Sequence, residues 1–144
     1  MTRLPDVTSK WLGTEYTTYG FTPEEGCDCF SFLYKILEDD YGVKLPSEWR
    51  GFNLENYYQL YMDDEEKAID LWTEFFQDYL KEVEEHELIN GDILLVKSTI
   101  PPIKRFFVIY IGNKKIINVD PKYGVRPMHF RRMKILKVFR GVSK

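Results

Sequence analysis

Residues 28 to 41 place the tightest constraint on how this chain folds. Phe30, Phe32, Leu33, Ile36 and Leu37 recur at helical spacing and cover most of a helix circumference, leaving a narrow polar stripe of Ser31, Lys35, Glu38 and Asp39. A helix so wrapped in apolar side chains must lie inside a core. Gly42 ends the pattern, and Pro46 prevents its resumption. The helix opens on Gly26-Cys27-Asp28-Cys29, where unpaired backbone N–H groups and the helix dipole favour a thiolate. That position suits a nucleophile, although a cysteine at a helix start is more often a small buried hydrophobe.

The remainder of the chain supplies what surrounds this helix. With 144 residues, 44% hydrophobic and 16% aromatic, one compact domain over residues 1–144 is expected. Residues 5 to 26 read as a short helix and an irregular loop, rich in Gly, Thr, Pro and Tyr. A second helix is expected from about Asp63 to Glu85, with Ile69, Trp72, Phe76, Tyr79 and Val83 on one face. Its charge run, Asp63 to Glu66, reads as a solvated helix start rather than a metal site. After Asn90-Gly91 the pattern changes to strands over 92–97, 105–111, 115–120 and 135–140, separated by Gly112-Asn113 and Pro121-Lys122-Tyr123-Gly124. Helices followed by meandering strands define an α+β class with an antiparallel sheet.

Composition excludes several functions. Twenty basic against 23 acidic residues, a net charge of −3, give no overall drive toward nucleic acid or an anionic membrane. No apolar run reaches the ~20 residues of a membrane span, and Met1 to Asp6 lacks a secretory apolar segment. The expectation is a chain made in the cytoplasm without a signal peptide. A disulfide between Cys27 and Cys29 would close a trivially small loop, and two thiols are too few for a structural zinc. Neither metal nor cofactor is expected.

The segments Trp11 to Tyr16, Gly26 to Cys29, Tyr41 to Pro46, Asn90 to Leu95, Ile109 to Asn113, and the tail from Gly124 to Arg140 together resemble the NlpC-type cysteine peptidases. These cleave peptide stems of bacterial cell walls on a compact papain-like fold. The resemblance is to the branch found near phage tail genes, and it implies N-terminal helices with a central Cys-bearing helix packed on an antiparallel sheet. By position, Cys29 falls on the family's nucleophile, following Asp28, and Cys27 on a variable position. The family's general base heads its second core strand, where this chain has Phe106. Twelve residues on, the family's orienting polar residue corresponds to Asn118. Tyr16 matches an aromatic position near the site, and Tyr16 and Asp28 are the candidates for substrate contact.

A positioned base contributes about two to four orders of magnitude in rate and also protonates the leaving amine, neither of which phenylalanine can do. A bulged connection after Gly112 puts Phe106 and Asn118 on one face of the sheet, whereas a two-residue turn puts them on opposite faces. The histidines, His86 and His129, fall away from the family's base position, His129 being the candidate for a relocated partner. The resemblance therefore implies a degenerate peptidase serving as a structural or assembly component of a phage tail tip or tail-like particle, carried in the virion with other tail proteins as partners. The alternative is an active peptidoglycan-cleaving peptidase or amidase using Cys29 with a rearranged base. The aromatic stretches Tyr16 to Phe21 and Trp49 to Tyr61 are candidates for a docking surface or for core.

Overall fold

The apolar helix organises the structure, a computed structural model that describes residues 8–99 and 104–143; the reading of Met1 to Asp6 lies outside them. A one-turn helix, α1 (Thr8–Trp11), precedes a short antiparallel pair, β1 (Phe21–Thr22) and β2 (Gly26–Cys27). Then comes α2 (Cys29–Lys35), which widens into a π-helical turn over Ile36–Asp40 and ends before Gly42 at a φ of +69°. A small hairpin, β3 (Glu48–Trp49) and β4 (Phe52–Asn53), leads into α3 (Tyr57–Asp63) and α4 (Glu65–Tyr79). The second half contains β5 (Leu80–Val83), a 3₁₀ turn (Glu85–Glu87), β6 (Ile93–Ser98), β7 (Arg105–Gly112), β8 (Lys115–Asp120), β9 (Gly124–His129) and β10 (Met133–Ser143).

The expected helix over 63–85 is thus shorter, ending at Tyr79. Leu80 and Val83 are buried while Lys81 and Glu82 are exposed, and the segment pairs antiparallel with β10 through Val138↔Val83 and Phe139↔Glu82. Val83 satisfies a helical period from Tyr79 as well as a strand pattern, so periodicity alone cannot separate the two. At the other end Asp64 caps α4 by accepting from the Lys67 N–H at 3.1 Å.

Phe30, 2% exposed, shows why the chain spends so much composition on aromatics. Its ring lies 4.6 Å from that of Tyr57, 5.0 Å from Trp72 and 5.7 Å from Phe52, centroid to centroid. The aromatic side chains from Trp49 to Tyr61 divide: Phe52 and Tyr57 are buried in the core, while Trp49, Tyr58 and Tyr61 pack against it half-buried.

The six-stranded sheet is antiparallel in the order β5-β10-β6-β7-β8-β9. Alternation sends Leu95, Phe107, Ile109, Ile117, Val119 and Phe139 into the main, helix-lined core. Leu94, Val96, Val108, Ile116 and Val138 form a second cluster on the reverse face, each no more than 2% exposed. A sheet buried on both faces with helices on one must curl over itself. Two backbone bonds fasten the curl: Phe130 N–H to the Lys114 carbonyl, 2.8 Å, and Thr99 N–H to the Arg132 carbonyl, 2.8 Å. Strand β9 is closed off by the N-terminal loop, Gly13 N–H bonding the Val125 carbonyl and Val125 N–H the Thr14 carbonyl, both at 2.9 Å. A Cβ on Gly124 would meet the Thr14 carbonyl oxygen, so only glycine permits this approach.

Candidate active site

The helix that carries Cys29 is fixed by its preceding residue. Asp28 is fully buried and caps α2: Oδ1 accepts from the Ser31 N–H at 2.9 Å, while the Ser31 hydroxyl accepts from the Asp28 N–H at 2.9 Å. Its Oδ2 accepts from the Tyr19 N–H at 2.8 Å and the Tyr57 hydroxyl at 2.5 Å. With both oxygens engaged and no exposed surface, Asp28 holds the helix start rather than offering a group to a substrate.

Cys29, the first residue of α2, is half-buried. Burial pushes its thiol up to about 12 and the adjacent Asp28 charge adds to this; the N–H groups of Phe30 and Cys29 itself pull the other way and lose. The helix-start reading correctly identified the lowering influence, but a dehydrated site beside a buried carboxylate reverses the outcome. Cys27, buried in β2, is likewise pushed up to about 12, first by burial and then by Asp28.

Cys29 opens onto a cleft of about 350 Å³ whose walls include Tyr16, Phe106 and Asn118. Three distant segments meet there: the N-terminal loop, the head of α2 and the β7–β8 hairpin. The register of that hairpin shifts between Tyr110 and Gly112, with Ile109 opposite Ile117 and Gly112 opposite Lys115. The bulge puts Phe106 and Asn118 on one face, as the twelve-residue spacing requires. Phe106, half-buried, also packs against the second cluster, whereas its neighbour Phe107 joins the core that Cys29 touches.

Sequence reasoning did not single out Tyr58, Tyr61, Glu65, Lys104 or Arg105, which complete much of the wall. The i, i+3 spacing of Tyr58 and Tyr61 was a visible sign that one helix face carries two phenols. Tyr16 donates to the Tyr58 hydroxyl at 3.2 Å, and Tyr61 donates to Glu65 at 2.6 Å. Burial, reinforced by Tyr58, pushes the Tyr16 phenol above its ordinary value, which removes it further from service as a base. Arg105 is held by Asp70 at 2.8 Å and Glu66 at 2.9 Å.

Both histidines of the chain lie among the described residues, and neither lines the cleft. His86 is exposed in the 3₁₀ turn. His129, also exposed, pairs with Lys115, whereas Asn118 pairs with Arg126. Three strand residues, roughly 10 Å at the usual rise, therefore separate His129 from the level of Asn118. No group of three or more His, Cys, Asp or Glu side chains among the described residues is arranged to hold a metal ion.

A cysteine at the head of a buried helix, facing an antiparallel sheet across a cleft, is the central arrangement of this α+β domain. Residues 13–141 match the NlpC/P60 family, and the chain belongs to it. Among solved structures it is similar to a protein described as similar to lipoprotein, NLP/P60 family, from Staphylococcus aureus subsp. aureus Mu50, with a TM-score of 0.53 and 14% identity. The superposition covers 92% of this chain and 38% of that one, so this chain spans less than two-fifths of the staphylococcal protein. No curated protein matches the chain. No helix among the described residues is long and apolar enough to cross a membrane.

Proposed function

We propose that this chain is a papain-like NlpC/P60 domain that has lost wall-peptide hydrolysis and serves as an assembly component of a phage tail tip or tail-like particle. The observation that carries the loss of chemistry is the cleft itself: Cys29 shares it with Phe106 and Asn118, and no histidine lines it. Burial and the Asp28 charge push the Cys29 thiol up to about 12, so the protonated form prevails at neutral pH. By the sequence resemblance Cys29 and Asn118 stand at the nucleophile and orienting positions, but no imidazole lines the cleft to take the thiol proton and return it to a leaving amine, and Glu65 on its wall accepts from Tyr61. The tail context rests on the sequence resemblance.

The test is incubation of the purified protein with bacterial cell-wall fragments, read by mass spectrometry for new peptide termini, with Cys29→Ala in parallel. The expected result is no new termini from either protein across several wall types. Termini that appear with the native chain and vanish with Cys29→Ala would establish a live thiol peptidase and overturn the proposal.

A further inference from the structure

The two halves of the chain carry opposite charge. Residues 93–144 hold thirteen basic side chains and one acidic, Asp120, whereas residues 1–92 hold seven basic and twenty-two acidic. The small net charge hides this division.

The curl of the sheet gathers much of the positive charge. The Phe130–Lys114 and Thr99–Arg132 backbone bonds bring the β7–β8 turn, the β9–β10 connection and the end of β6 together. Lys97, Lys114, Lys115, Arg131, Arg132 and Lys134 are all exposed there, and none forms an ion pair among the described residues. Lys134 stands directly opposite Lys97, which in turn stands opposite Arg105. Like charges placed across a strand pair destabilise a sheet, and of these three only Arg105 is neutralised, by Glu66 and Asp70. Lys114 and Arg132 also hold left-handed backbone, φ +58° and +53°, which costs a non-glycine residue energy. An uncompensated basic rim on strained turns is a surface the fold maintains at a cost.

A complementary surface exists on the same molecule. Leu60, Ala68 and Leu71 line a groove of about 190 Å³ at the α3–α4 junction, flanked by exposed Asp63 and Asp64 with exposed Lys67 on the same wall, so that two carboxylates stand against one ammonium. Met62 beside it is 63% exposed. The basic rim offers the opposite arrangement, with half-buried Phe130 and Met133 set among Arg131, Arg132 and Lys134. We infer that the basic rim of one copy docks on the acidic α3–α4 junction of the next, making a head-to-tail contact between copies of this chain. A second copy fits better than an extended polyanion, because the acidic first 92 residues repel a polymer that reaches beyond the rim. This contact does not depend on whether the cleft is catalytic.

The experiment is sedimentation velocity of the full chain at about 0.01 M salt, where charges act over about 30 Å, and at about 1 M, where they act over about 3 Å. Association is expected at low salt and dispersal at high salt. Arg131→Glu with Arg132→Glu, and separately Asp63→Lys, should each weaken self-association at least about tenfold, with native circular dichroism as the folding control. Arg131→Gln with Arg132→Gln is the milder substitute if the reversal does not fold. Mixing the arginine variant with Asp63→Lys should restore a one-to-one complex, since each keeps one intact surface. A native chain that stays monomeric at low salt overturns the inference, as does unchanged association of the arginine variants. A monomeric chain that binds heparin through Arg131 and Arg132 overturns it in favour of a polyanion.

Discussion

At Cys29 two influences oppose each other on one thiol. The helix-start N–H groups favour the anion, while burial and the Asp28 charge disfavour it and prevail, leaving the group at about 12. Alkylation by iodoacetamide should therefore be slow at neutral pH and rise tenfold per pH unit through the alkaline range, followed by mass spectrometry of the Cys29 peptide. Phe106→His adds an ionisable group to the cleft wall, on the same face as Asn118. It should accelerate that alkylation at neutral pH at least about tenfold by stabilising the thiolate. An unchanged rate would mean that a side chain at position 106 does not reach the sulfur.

Among the elements, β10 is anchored by a buried ion pair. Asp92 has no exposed surface and accepts from Arg140 Nε at 3.0 Å and Nη2 at 2.9 Å, and from the Ile89 N–H at 2.9 Å. Arg140→Leu leaves that carboxylate buried without its cation and should cost about 3–5 kcal/mol, measured by urea unfolding. This pair illustrates what sequence could not supply, because residues 48 apart become partners only once β10 lies beside β6. What depends on local pattern was legible: the apolar helix from Asp28, four of the five strands after Asn90 and the α+β class; β9, interrupted by Pro127, was not. The spacing of Phe106 and Asn118 left the hairpin open between a bulged connection and a two-residue turn, and the register shift after Tyr110 decides for the bulge. The identity of residues 80–83 as a strand was not legible, since their partner lies more than fifty residues away. Of the site, Cys29, Phe106, Asn118 and Tyr16 were readable by position. The raised thiol pKa was not, because desolvation is a property of everything packed around the sulfur.

For the molecule as a whole, the buried phenols and thiols act together. Burial raises the pKa values of Tyr16, Tyr34, Tyr41, Tyr57 and Tyr61, and of Cys27 and Cys29, above their ordinary values. The unfolded chain gives up these protons from about pH 9 to 10, while the folded chain retains them to higher pH. The stability they confer is thus fully present at neutral pH and falls as pH rises through about 9 to 12. Thermal unfolding followed by circular dichroism should show a progressive drop in Tm across that window, and a flat profile would show that these groups titrate freely in the fold.

The clasp between Gly13, Thr14 and Val125 also dictates an order of events during synthesis. The strand that shares backbone bonds with residues 13 and 14 emerges from the ribosome more than a hundred residues after them. Until then the thiol-bearing helix lacks its sheet wall, although the loop that carries Tyr16 is already tied to β2 by the Cys27 N–H to the Glu15 carbonyl and the Thr17 N–H to the Cys27 carbonyl. The sheet side of the cleft is therefore completed only after residues 105–125 have been made, well after the helix that bears the thiol.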